Sequence, residues 1–139
     1  MSPEQLLGQL EASRRVVIAD MEAGAGNLTR MDEGSVDLVL LVTEPSPRSI
    51  EVARRARAII GERKIGPTLV VANKVRGSAD LERIRTSLPE AEVLAVPEDP
   101  MVLRADREGR APIDIDPGAP AAQAVADLAR RLAIQHEEG

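Results

Sequence analysis

The sequence contains no cysteine, phenylalanine, tyrosine or tryptophan, and only one histidine, His136, near its C-terminus. Without cysteine there is no disulfide framework and no thiolate metal site within these residues. With one histidine as well, no nucleophile–histidine pair and no Cys/His metal cluster can be assembled. Without aromatic rings, bases have no platform to stack on. Acidic residues exceed basic ones, for a net charge of −5. Nucleic acid is therefore not expected as a partner. No apolar run approaches the roughly 18 residues that would suggest a membrane span. The start, MSPEQLLGQLEASRR, lacks the basic and apolar blocks of a signal peptide. A cytoplasmic location follows as the expectation. Lysine is scarce too, two against sixteen arginines, which reads as compositional bias rather than function.

What is present must build a core from Leu, Ile, Val, Ala and Met. At 139 residues the chain is long enough for one domain. Residues 1–135 read as a single α/β domain and 136–139 as a disordered tail. Ser2-Pro3-Glu4-Gln5 reads as a helix start, with Ser2 as cap and Leu6, Leu7 and Leu10 on one face. Four apolar runs of strand length follow: Val16–Ala19, Val36–Val42, Thr68–Ala72 and Val93–Val96. They are near-continuous rather than alternating, as in strands buried on both faces of a parallel sheet. Between them, Ser46–Lys64 places Ile50, Ala53, Ala56 and Ile60 on one helical face. Ser78–Leu88, with Ser78 as cap, Pro100–Asp106 and Pro120–Gln135 read as further helices. Gly109–Pro120 reads as a surface loop. Strand and helix alternate, so the expected fold is α/β, a mostly parallel sheet covered by helices.

Ligands of open α/β sheets bind beyond the carboxyl ends of the strands. Asp20 ends the first run and opens into Glu22-Ala23-Gly24; Thr43-Glu44-Pro45, Asn73-Lys74 and Pro97-Glu98-Asp99-Pro100 end the others. A carboxylate after an apolar strand can hold magnesium through water, and a nearby glycine lets its backbone N–H approach a phosphate. An ordinary strand-end Asp with a turn glycine explains Asp20 and Gly24 equally simply. The Asn73 amide carries a donor and an acceptor and can pair with a purine edge, or it can simply end a strand. Pro97–Pro100 can wall a flat ring, start a helix with Asp99 as cap and Pro100 at its first position, or do both. Arg30, Arg48 and Arg76 also fall near this edge, where each can reach a phosphate or a carboxylate.

Four stretches in order, VVIADMEAGAGNLTR, VDLVLLVTEPSPRSIEVARRA, VVANKV and VPEDPMVLRADREGRAP, resemble the second half of MinD/ParA-type P-loop ATPases of the SIMIBI class. The nearest branch is the CooC-like one, which inserts nickel into carbon monoxide dehydrogenase. The signatures are D-x-E-A-G, E-P-x-x-R-S-I, N-K-V and P-x-D-P, and the likeness runs from Val16 to Leu132. It implies a three-layer P-loop fold, ATP and magnesium as cofactors, and metallocentre maturation as the process served. Asp20 would be the Walker B carboxylate, reaching magnesium through water. Gly24 would contact the γ-phosphate. Asn73 and Lys74, with Pro97, Glu98 and Asp99, would form the adenine pocket, and Glu44-Pro45 would lie near the nucleotide or a dimer interface.

The same family begins with G-K-G-G-x-G-K-[ST], and no glycine here precedes a Lys-Ser or Lys-Thr. That loop supplies the phosphate cradle. The CooC branch's Cys-x-Cys pair is also absent, and Gly26-Asn27 stands where that branch usually has Glu-His. The expectation is therefore a truncated ATPase domain, binding ATP weakly and not hydrolysing it alone. A homodimer, or a partner chain supplying the missing half, would complete it, with a metalloenzyme as a possible client. A degenerate protein-interaction module is the alternative. A receiver-like domain built on Asp20, Thr43 and Lys74 is the third reading.

Overall fold

The computed structural model describes residues 16–21 and 25–138. The elements in chain order are α1 (Ala25–Leu28), β1 (Val39–Thr43), α2 (Pro47–Glu62), β2 (Thr68–Val75), α3 (Ser78–Ser87), β3 (Glu92–Pro97), α4 (Pro100–Glu108), α5 (Pro112–Ile115) and α6 (Pro120–Glu138). The strands form a parallel sheet in the order β1-β2-β3. This is the α/β arrangement that the continuous apolar runs imply. Helices cover both faces. Ile50, Ala53, Ala56 and Ile60 of α2 and Ile84 of α3 bury against Leu41, Val70 and Ala72 on one side. Ala121 and Leu128 of α6 bury against Leu69, Val71 and Val96 on the other. Each such side chain contributes about 1.5–3 kcal/mol when fully removed from water.

Helix ends follow from local chemistry. Ser46 lies outside α2 and caps it, its hydroxyl accepting from the Ser49 N–H at 3.2 Å. At the other end Lys64 takes a left-handed conformation, φ 52°. Ile65 N–H reaches Ile60 O at 3.1 Å and Lys64 N–H reaches Gly61 O at 3.3 Å, the paired closure of a Schellman motif. Gly66 then enters β2 with no room for a side chain: a Cβ there would sit 2.5 Å from Val36 O. Ser78 is not a cap, contrary to expectation. Gly77 holds that place, and the Asp80 carboxylate accepts instead from the Arg76 N–H at 3.0 Å. The expected loop Gly109–Pro120 contains the short helix α5, and α6 continues past Gln135 to Glu138.

The largest departure is at Val16–Ala19. The run is not part of the sheet, and Val16, Val17 and Ile18 are exposed. A strand is stable through its ladder, and no described strand lies beside this run. The chain after it is anchored: Leu28 and Met31 enter the α2 side of the core, and Arg63 Nε donates to Met31 O at 3.0 Å. The expected N-terminal helix at Ser2 lies outside the described residues, as does Gly24.

Candidate functional site

Parallel pairing places the ends of β1, β2 and β3 on one edge. Along β2, Ala72 pairs with Ala95 and Val75 with Pro97, so Asn73 and Lys74 together oppose Val96. This is a β-bulge, two residues against one, and bulges re-aim side chains at sheet rims. Lys74 adopts φ 58°, a left-handed conformation seldom taken by residues with a Cβ. Asn73 is half-buried in the same bulge.

Two ion pairs lace the strand ends. Lys74 Nζ lies 2.6 Å from Glu44 Oε1, joining the ends of β2 and β1. Arg76 Nε lies 2.7 Å from Glu98 Oε2, joining the ends of β2 and β3, and the Glu98 N–H donates to Val75 O at 3.0 Å. The hydrogen bond from Glu44, and then its charge, hold the Lys74 ammonium above its ordinary pKa of 10.5. The Glu98 hydrogen bond and charge likewise raise Arg76. Arg76 thus finds a carboxylate within the chain, one of the two destinations its position allows.

Asp99 is occupied twice. Its Oδ1 accepts from Met101 N–H at 2.9 Å, capping α4, with Pro100 in the first turn. Its Oδ2 accepts from Ala121 N–H at 3.0 Å, tying the same turn to the start of α6. The helix-start reading of Pro97–Pro100 therefore describes Asp99, and its carboxylate is committed to holding the loop. Pro97 has no such commitment, whereas the Glu98 carboxylate is engaged by Arg76. At the end of β1, buried Thr43 and Ser49 bring their hydroxyl oxygens within 3.2 Å, and the Glu44 N–H donates to Ser49 Oγ at 2.9 Å. Ser49 was not singled out in the sequence. Its signal was the second serine of S-P-R-S, three residues into a helix capped by the first.

The structure thus brings Asn73, Lys74, Pro97, Glu98 and Asp99 together on one edge. It does not bring Asp20 to them as a strand-end residue, because Asp20 is exposed and follows an unpaired run. A receiver-like centre of Asp20, Thr43 and Lys74 is not assembled either, since Asp20 ends no strand and Lys74 is paired with Glu44. Among the described residues no group of three or more His, Asp or Glu side chains is placed to hold a metal. A single carboxylate acting through water, the role inferred for Asp20, needs no such group.

No protein-family model matches the chain. An uncharacterised ATP-binding protein of Methanocaldococcus jannaschii is 37% identical over 105 residues, covering 73% of this chain and 40% of that protein. A second uncharacterised ATP-binding protein of that organism is 29% identical over 134 residues, covering 93% and 50%. The carbon monoxide dehydrogenase accessory protein CooC of Rhodospirillum rubrum is 28% identical over 109 residues, covering 78% and 41%. Among solved structures, the MinD cell division protein of Aquifex aeolicus superposes with a TM-score of 0.58 at 29% identity, over 72% of this chain and 45% of that one. The chain spans about half the length of the curated relatives it matches.

Proposed function

We infer that this chain, a MinD/ParA/CooC-like domain with a P-loop NTPase fold over about half the length of its relatives, supplies the base-binding side of an ATP site. The observation that supports this most directly is the bulge. It sets Asn73 beside the Pro97–Glu98 loop at the carboxyl edge of a parallel sheet, in a chain whose relatives are named as ATP-binding. The Asn73 amide reads the adenine edge, Pro97 and Glu98 wall the ring, and Asp99 holds that wall by its two backbone hydrogen bonds. Lys74 keeps the bulge in place through Glu44.

Asp20 takes the magnesium side, through water, and Gly24 the γ-phosphate. When bound, magnesium would offset phosphate charge. The cations and amides that cradle phosphates belong to a G-K-G-G-x-G-K-[ST] loop that these 139 residues do not contain. Phosphate binding is mainly electrostatic, so these residues alone bind ATP weakly and do not turn it over. By likeness to CooC, the process served is assembly of a metal centre in a client enzyme. Among the described residues no helix is long and apolar enough to cross a membrane, and we place the protein in the cytoplasm.

Nuclear magnetic resonance titration of the chain with adenosine, ATP and GTP tests this. The expected result is a set of shifts confined to Asn73, Lys74 and the 97–99 loop. Adenosine and ATP should bind alike, with affinity on the order of millimolar, and Asn73→Ala should abolish the shifts. Equal response to GTP would refute the assignment of Asn73, and micromolar ATP affinity would refute the division of the site.

A further inference from the structure

Residue 74 takes a conformation that calls for glycine. Among the described residues three with side chains have positive φ: Lys64, Lys74 and Glu90. Lys64 follows the end of α2 and Glu90 lies in the turn before β3, places where the left-handed region is usual. Lys74 alone is inside a strand. A bulge built on a left-handed residue ordinarily carries glycine there. A side chain in that region is strained, and it persists only where its surroundings hold it.

The group that meets Lys74 is the Glu44 carboxylate, 2.6 Å from its Nζ. Glu44 is itself fixed. It precedes Pro45, which restricts its backbone. Its N–H donates to Ser49 Oγ at 2.9 Å, and its C=O accepts from the Thr43 hydroxyl at 3.1 Å. With the Thr43 proton used there, the Ser49 hydroxyl donates to Thr43 Oγ1 across 3.2 Å. Thr43 is 1% exposed, so its hydroxyl must find its partners within the protein. The next carbonyl, that of Pro45, accepts from the Arg83 guanidinium at 3.3 Å. The first turn of α2 and the middle of α3 thus both hold the short loop that carries Glu44.

We propose that Glu44 and Ser49 are positioning residues for the base site. Through the pair to Lys74 they hold the bulge that presents Asn73, in place of the glycine its geometry calls for. Ser49 fixes the Glu44 backbone, the Glu44 carboxylate fixes Lys74, and the left-handed turn at Lys74 sets where Asn73 stands. Lys74 then acts on a ligand through the backbone and not by touching it. This rests on the assignment of Asn73 to the base. The hold of Glu44 on the bulge is a property of the ligand-free chain and can be read without a nucleotide.

The test compares Lys74→Ala with Lys74→Gly. Both lose the ion pair, but only glycine takes φ 58° without strain. Amide hydrogen exchange reads the bulge through the Glu98 N–H, which donates to Val75 O at 3.0 Å just beyond it. Exchange there should quicken roughly fivefold or more in Lys74→Ala and less than about twofold in Lys74→Gly. Glu44→Gln and Ser49→Ala keep Lys74 but weaken its hold. Each should quicken the Glu98 amide about two- to fivefold, the range for an ion pair at the surface. The amide of Val70, fully buried in the core, should keep the parent's rate; global destabilisation would quicken both amides alike. Adenosine affinity should fall further in Lys74→Ala than in Lys74→Gly. Equal exchange in the alanine and glycine variants would overturn the proposal. So would a Glu98 amide indifferent to Glu44→Gln and Ser49→Ala. An adenosine affinity that falls as far with glycine as with alanine would also overturn it, because the ammonium would then touch the ligand. Should exchange follow the expected order while the chain ignores adenosine, the assignment of Asn73 to the base fails and the hold of Glu44 on the bulge stands.

Discussion

Replacing Asp99 with alanine removes both hydrogen bonds that join the β3–α4 turn to its surroundings. Oδ1 serves Met101 N–H at 2.9 Å and Oδ2 serves Ala121 N–H at 3.0 Å. Loss of the helix cap costs about 1 kcal/mol. Ala121 is 3% exposed, so its N–H, one of the first-turn donors that no helix satisfies internally, would be left in the interior. That costs about 1–3 kcal/mol. The two terms share one carboxylate and need not add fully, so a total of about 2–4 kcal/mol is expected. Asp99→Asn keeps the shape but offers one acceptor oxygen instead of two, so about half of that loss should remain. With no tryptophan or tyrosine in the chain, far-ultraviolet circular dichroism is the probe. Urea titration should show the midpoint falling with the slope unchanged, and heating should show a drop of roughly 3–4 °C per kcal/mol. An Asp99→Ala variant within about 0.5 kcal/mol of the parent, the usual range for inert surface positions, would refute the reasoning. It would also return Asp99 to the pool of side chains free to meet a ligand.

Gly66→Ala should destabilise the chain by about 1–3 kcal/mol in the same titration, because its Cβ would sit 2.5 Å from the Val36 carbonyl oxygen. Gly61→Ala, within α2 and with open space at its Cβ, should instead stabilise by about 0.5–1 kcal/mol. The Lys74–Glu44 pair should show itself in titration. The Glu44 hydrogen bond and charge raise the Lys74 pKa above 10.5, so the pair's contribution is fully present below that value and fades as pH rises through the raised one. Side-chain nuclear magnetic resonance should find Lys74 titrating above 10.5 in the parent and lower in Glu44→Gln. An unchanged titration would mean that the contact does not hold in solution.

Much of the fold was legible because its signals are local. Ser46 and Asp99 cap helices wherever a proline follows them, since a short side-chain oxygen meets first-turn N–H groups without help from the rest of the chain. Gly109 closes α4 with φ 64°, a conformation glycine takes without strain. The core faces of α2, at Ile50, Ala53, Ala56 and Ile60, follow from helical spacing. Pairing was not legible in the same way. Val16–Ala19 and Val39–Thr43 are both apolar and β-branched, yet only the second is a strand, because only the second has β2 beside it. Nor could Ser78 be distinguished from Gly77 as the start of α3, because Asp80 reaches back to Arg76.

The site divides along the same line. The strand-end residues Glu44, Asn73, Lys74, Pro97, Glu98 and Asp99 could be named from sequence because apolar runs end where polarity begins. That Lys74 meets Glu44, that Arg76 meets Glu98 and that Asp99 reaches Ala121 depend on which strands neighbour which. Order along the chain determined the α/β class, the helices and the chemical character of the carboxyl edge, because each is set by residues within a few positions. Tertiary structure alone decided the bulge at Asn73-Lys74 and the double use of Asp99. Each of these is a relation between segments, and a strand becomes a strand only when another segment takes its hydrogen bonds.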